Sequence, residues 1–122
     1  MARHNQTGQQ GEQLAAEMLR SKGYEILHTN WRSNHYELDI IAKNAEELVI
    51  VEVKTRSSIN YEMPEMAVDQ RKIRRIVYAA DHYIKMFCID LPVRFDIVSV
   101  LMLDSGTQIE HIPDAFYPPV LS

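Results

Sequence analysis

The chain has 122 residues, 46% of them apolar and 25% charged, the balance of a single globular domain and not that of a disordered or fibrous chain. Its formal net charge of −4 does not mark a dedicated nucleic-acid binder, although a site built to hold a divalent cation carries negative charge of its own. No apolar run is long enough to span a membrane, no apolar leader follows Met1, and the single cysteine, Cys88, closes no intrachain disulfide, so a cytoplasmic, reducing setting is expected.

Residues 7–22 are expected to form a helix. Leu14, Ala15, Met18 and Leu19 recur at helical spacing, Thr7 is placed to cap the start, and Gly23 to stop the end in left-handed backbone. Residues 24–32 read as a strand carrying Ile26, Leu27 and Trp31, and Ser33-Asn34-His35 as a turn. Residues 37–43 form a second strand through Leu38, Ile40 and Ile41. The short connection Asn44-Ala45-Glu46 predicts a hairpin with a third strand over 48–54. Residues 48–51 are apolar without alternation, the pattern of a strand covered on both faces and therefore central.

A polar loop over 57–64 precedes the longest helical stretch, from Pro64 or Glu65 to about Phe87. Its apolar stripe is Met66, Ile73, Ile76, Val77, Ala80, Tyr83 and Ile84, and Asp81 and Lys85 are spaced to pair. After Leu91-Pro92 come a fourth strand over 93–103, a turn at Ser105-Gly106 and a fifth strand over 107–112. Pro113, Pro118 and Pro119 keep the tail from continuing regular structure, and it should drape over the core. The order predicts an α/β domain: a mixed five-stranded sheet flanked by helices, αβββαββ.

The chemistry concentrates where the third strand ends. Glu52 and Lys54 share one face there, with Val53 on the other. Asp39, on the partner strand, falls roughly opposite Glu52 in a regular ladder. Two neighbouring carboxylates raise each other's pKa unless a cation sits between them. Mg²⁺ (or Mn²⁺) suits such a pair, because it takes oxygen ligands, usually only one or two of them carboxylates. Asp39 and Glu52 would supply those, and the backbone carbonyl of Val53 a third oxygen. Such an ion lowers the pKa of a bound water and stabilises charge on a phosphate, and Lys54 would stand beside that water. Taken alone, Glu-x-Lys has a plainer meaning as a same-face ion pair at a sheet edge.

Arg71, Lys72, Arg74 and Arg75 make either a solvated helix face or a phosphate-contacting edge. Arg56 either meets a phosphate or merely ends the strand. His4, His28, His35, His82 and His111 show no HxH or HExxH spacing, so no zinc site is expected. Cys88 should pack at a helix end, and Trp31 and the tyrosines should serve as core or rim. There is no glycine-rich phosphate loop, which argues against a nucleotide-dependent enzyme.

Asp39 followed by Glu52-Val53-Lys54 resembles the PD-(D/E)xK pattern of restriction-endonuclease-like nucleases. Over roughly residues 8–100 the chain is more closely similar to the small YraN-like bacterial family, and through it to the archaeal Holliday junction resolvases. The pieces that carry the likeness are Gly8-Gln9-Gln10-Gly11-Glu12, Asn30-Trp31-Arg32, Glu37-Leu38-Asp39-Ile40-Ile41-Ala42, Val51-Glu52-Val53-Lys54-Thr55-Arg56, Pro64 with Ala67-Val68, and Arg94-Phe95-Asp96-Ile97-Val98. The resemblance implies catalytic positions at Asp39, Glu52 and Lys54. It implies that Glu12, which taken alone reads equally as a first-turn acid favoured by the helix dipole, completes the metal site, as an acid of the first helix does in the resolvases, and that Lys72 is the basic or amide residue such nucleases often place on their long helix. It further implies a restriction-endonuclease-like core, hydrolysis of DNA phosphodiesters with branched DNA as substrate, and a homodimer. Tyr36 and Tyr61-Glu62-Met63-Pro64 depart from the family, which usually has glycine in these turns. Two rival expectations stand beside the nuclease. One is a nucleic-acid-binding module on a nuclease-like scaffold without useful catalysis. The other is a partner-binding domain that dimerises through its sheet edge or long helix.

Overall fold

In β3 (Leu48–Arg56) both sets of alternate residues begin apolar: Leu48 and Ile50 on one face, Val49 and Val51 on the other, none more than 2% exposed. Such a strand is stable only with a layer on each side. The computed structural model describes residues 6–57 and 69–118, and within them it supplies both layers. The elements are α1 (Gln6–Ser21), β1 (Glu25–Ser33), β2 (Tyr36–Lys43), β3, α2 (Gln70–Phe87), β4 (Val93–Leu103) and β5 (Gly106–Ile112). The strands form one mixed sheet in the order β1-β2-β3-β4-β5, antiparallel except for the parallel β3–β4 pair, so β3 is central and the order αβββαββ is the one expected.

The helices cover opposite faces. Ile73, Ile76, Ala80 and Tyr83 of α2 pack with Ile41, Leu48, Ile50, Phe95 and Ile97. Ala15, Ala16 and Leu19 of α1 pack with Ile40, Ala42, Val49, Val51, Val98 and Val100. Each such branched side chain withdrawn from water contributes about 1.5–3 kcal/mol. Beyond β5, the described part of the tail lies on the core through two residues: the Ala115 N–H bonds the Phe95 carbonyl at 2.8 Å, and Phe116 stacks on Phe95. Gly23, at φ 95°, follows α1 in the left-handed region, and the Asp81–Lys85 pair forms at 2.9 Å. Among the described residues no helix is long and apolar enough to cross a membrane.

Three expectations need correction. Helix α2 starts at Gln70, not at Pro64 or Glu65. Asp69 has extended backbone, ψ 177°, and its carboxylate accepts the Lys72 N–H as an N-cap, which a helix running through it would forbid. Met66 and the Tyr61-Glu62-Met63-Pro64 departure lie outside the described residues. Thr7 lies inside α1, which begins at Gln6. Cys88 is at the end of α2 but exposed, because it is itself the left-handed C-cap (φ 53°) where the chain leaves the helix.

One irregularity in β2 sets the position of a carboxylate. Ile40 and Ala42 pack on the α1 side and Ile41 on the α2 side, as alternation requires, but Leu38 packs with Ile41. Alternation therefore breaks at Asp39. In the facing strand Asn30 lies between the positions paired to Ile40 and Leu38, and its φ of 50° marks the same break in β1.

Candidate functional site

The β2–β3 ladder runs from Lys43↔Leu48 to Ile40↔Val51. At the next position Asp39 answers β3 with its side chain: Oδ2 accepts the Val53 N–H at 2.9 Å. The carboxylate is thus anchored where the strands begin to part. Glu52, continuing the Leu48–Ile50 face, is only 12% exposed, and its Oε2 lies 2.7 Å from Lys72 Nζ and 3.6 Å from Lys54 Nζ. Lys54 is the next residue on that face. Lys72 comes from the first turn of α2, and the Asp69 cap that starts the helix holds its N–H. Glu12 approaches from α1, buried, with Oε1 out of contact with solvent. Gly11 is what lets α1 lie so close, since a Cβ there would run into the Thr55 side chain of β3.

The electrostatics reflect this crowding. Burial holds the Asp39 carboxyl well above the ordinary carboxylate range, and the charges of Glu52 and Glu12 push it the same way, against the Val53 N–H and Lys72. Lys54 is lowered by burial and by its contact with Lys72, with Glu52 pulling the other way. For Lys72 burial also favours the neutral amine, but the Glu52 charge and hydrogen bond outweigh it and keep the ammonium.

Asp39, Glu52, Lys72 and Arg75 line a cleft of about 680 Å³, and Tyr36 and Tyr78 line it as well. The structure therefore brings Glu12, Asp39, Glu52, Lys54 and Lys72 into one electrostatic group. Val53 belongs to it through its backbone. Arg71 and Arg74 are exposed on α2 outside the cleft lining, and Arg56 closes β3 opposite Leu101. Among the described residues, no three His, Cys, Asp or Glu side chains converge to hold a metal ion. Mg²⁺ asks less than that: one or two carboxylates, with water elsewhere in its shell. Two hard oxygen donors from adjacent strands, Asp39 and Glu52, meet this demand, so the residues fit such an ion.

Sequence reasoning misses a second polar cluster, on the α1 side of the sheet. Asp96, fully buried, accepts Arg94 through both oxygens (2.9 and 2.8 Å), His111 Nε2 at 2.7 Å and the Asp114 N–H at 2.9 Å. Arg94 also bonds Glu47 and the Tyr24 hydroxyl. His111 Nδ1 lies 2.6 Å from Lys22 Nζ, which fixes the tautomer, because an ammonium can only donate and a carboxylate only accept. Burial alone would raise Asp96, yet its donors hold it below the ordinary carboxylate range. Arg94 and Asp96, two apart in a strand, are a visible same-face pair. His111 and Asp114, which come from β5 and the tail, leave no such signal.

Residues 11–100 match the family model described as "Uncharacterised protein family UPF0102". The chain is similar to the UPF0102 protein of Parabacteroides distasonis, at 57% identity over 119 residues covering 98% of each chain. It is 54% identical over 120 residues to that of Bacteroides thetaiotaomicron, covering 98% of this chain and 99% of the relative. With that of Christiangramia forsetii it shares 46% over 117 residues, covering 96% and 98%. Every member of the acid–lysine group lies within the matched span.

Proposed function

We propose that this chain, which belongs to the uncharacterised protein family UPF0102, is a metal-dependent endonuclease that hydrolyses DNA phosphodiester bonds. The observation that carries the reading is Asp39, anchored to the Val53 N–H beside Glu52, with Lys54 next to Glu52 on the same face. Asp39 and Glu52 would hold Mg²⁺ or Mn²⁺, with the Val53 carbonyl as a further donor and Glu12 behind them. The ion, when bound, supplies acidity to a water and neutralises charge on the phosphate. The chain's own residues do the rest. The Val53 N–H aims the Asp39 carboxylate, so little reorganisation is left for binding. Lys54, with its lowered pKa, is suited to orient the attacking water and to hold or release a proton at Nζ. Lys72 and Arg75 bring fixed positive charge to the phosphate. Branched DNA as the substrate and a homodimer as the working form rest on the likeness to the junction resolvases.

Incubation of the chain with end-labelled four-way junctions and linear duplexes in MgCl₂ or MnCl₂ tests this. Cleavage is expected, and both EDTA and the Asp39→Asn substitution should abolish it. Cleavage that survives the substitution, or none with either metal, refutes the proposal. The 2.7 Å Lys72–Glu52 contact favours a second reading. In it the lysines stand permanently where a metal would, and the chain binds nucleic acid without cutting it. Titration with Mn²⁺, monitored by paramagnetic resonance, separates the two: a site lost in Asp39→Asn supports the nuclease, and no site in the wild type supports the binding module.

A further inference from the structure

The long helix carries two faces of different character. Its buried positions are Ile73, Ile76, Ala79, Ala80 and Tyr83. Lys72, Arg75, Tyr78 and His82, spaced by three, three and four, make a second stripe beside it. Lys72 begins this stripe at Glu52, and Arg75 and Tyr78 continue along the cleft. Tyr78 is 48% exposed, a large ring that the core does not use. Facing the stripe is Tyr36, the first residue of β2. Its ring stacks on His82 at 5.1 Å with 28° between planes. His82 is held in turn by Ser33 Oγ at 2.9 Å and lies against Trp31. Tyr36 is therefore a fixed ring and Tyr78 an accessible one.

We infer that Tyr36 and Tyr78 form a base-stacking wall, which takes an unstacked nucleobase next to the phosphate engaged by Lys72 and Arg75. The inference rests on the nuclease reading and narrows its substrate to nucleic acid with at least one base out of the duplex: a single strand, a frayed end or a branch point. The cleft volume of about 680 Å³ is that of a small-ligand site, far larger than an ion and its waters need. Along the helix Tyr78 lies about 9 Å beyond Lys72 and about 4.5 Å beyond Arg75, so the ring meets a nucleotide next to the phosphate that Arg75 engages. Two cations followed along one stripe by an accessible ring, with a second ring facing it, suit an unpaired strand. A continuous duplex keeps its bases stacked inside and offers such rings nothing.

The test is binding in EDTA, where cleavage does not enter. The probes are a fluorescein-labelled thymidylate dodecamer and the same strand with its central residues abasic, which carry equal charge. The wild type should prefer the intact strand by about tenfold. Tyr78→Ala, at an exposed position that the fold does not need, should bring the two affinities together, and Tyr78→Phe should retain the preference. Arg75→Ala should weaken both probes alike. Equal wild-type affinities, no measurable affinity for either probe at low salt, or a full preference in Tyr78→Ala overturns the inference. Base-dependent binding by a chain that cleaves nothing supports the wall and removes the hydrolase, whereas cleavage with base-blind binding removes the wall alone.

Discussion

The sharpest prediction concerns Asp39→Asn. Asparagine keeps an acceptor for the Val53 N–H, a bond worth about 1 kcal/mol, and removes only the charge. In the folded wild type that charge is disfavoured by burial, by Glu52 and by Glu12, in that order. Each unit by which the folded carboxyl is raised corresponds to about 1.4 kcal/mol between its protonation states. The sign is fixed by linkage. Below the unfolded carboxylate pKa of about 3.9 both states are protonated and Asp39 costs nothing. As pH rises toward the raised native value the folded state holds the extra proton, and wild-type stability falls. In EDTA at pH 8 the substituted chain should therefore melt higher, by about 4 °C for each kcal/mol in a domain of this size, and the gap should close toward pH 4. A metal at a hundred times its dissociation constant adds about 2.7 kcal/mol to the wild type and little to the variant, so the order should reverse in MnCl₂. Circular-dichroism melts of both chains in both buffers measure these differences. A variant no more stable than wild type in EDTA refutes the charge crowding, and equal manganese shifts refute Asp39 as a ligand.

Removing Lys72 by Lys72→Met leaves Glu52 with Lys54 at 3.6 Å and should cost about 1–2 kcal/mol in urea denaturation. It should also tighten Mn²⁺ binding, because a competitor for Glu52 has gone. Gly11→Ala should destabilise by about 1–3 kcal/mol through the Thr55 clash, and Thr55→Ala on top of it, which removes the hydroxyl and methyl but leaves the Cβ in close contact, should recover part of that loss in a double-mutant cycle. Asp96→Asn removes the buried charge that Arg94 and His111 meet, leaving Arg94 only Glu47 and Tyr24, and should cost about 3 kcal/mol, lowering the melting temperature by more than about 10 °C at pH 7. Because the folded Asp96 pKa is depressed, its stabilisation is complete above about pH 4 and fades as pH falls through the folded value, so the wild type and variant should converge in acid.

Much of the architecture is legible in the sequence. The unbroken apolar run at 48–51 names a strand buried on both faces, and a short connection after Lys43 forces the hairpin that brings Asp39 to Glu52. Period and alternation are local signals, and they locate every described strand to within two residues. Legibility stops where partners are distant in sequence. Periodicity misplaces the start of α2 because the apolar stripe continues past Asp69, while the cap that ends it is a side-chain bond that periodicity does not register. Lys72 can be picked from the basic cluster by resemblance, yet its contact with Glu52 depends on how α2 crosses the sheet. Of the Asp96 cluster only the Arg94 pair is legible, because the other donors, His111 and the Asp114 N–H, arrive from β5 and the tail. Tyr36 and Tyr78 read as rim residues, and only the cleft shows which rim they share.

Asp39 has two employments, as the proposed ligand and as the residue that closes the fork between β2 and β3. A descendant that had abandoned hydrolysis would still be under pressure to keep an oxygen there, simply to stop the hairpin unzipping. Persistence of an oxygen is therefore a weak witness to activity, whereas persistence of its charge, which asparagine would shed at a gain in stability, is a stronger one. Lys54 meets its surroundings by charge and not by the main chain, so the hairpin places no such demand on it.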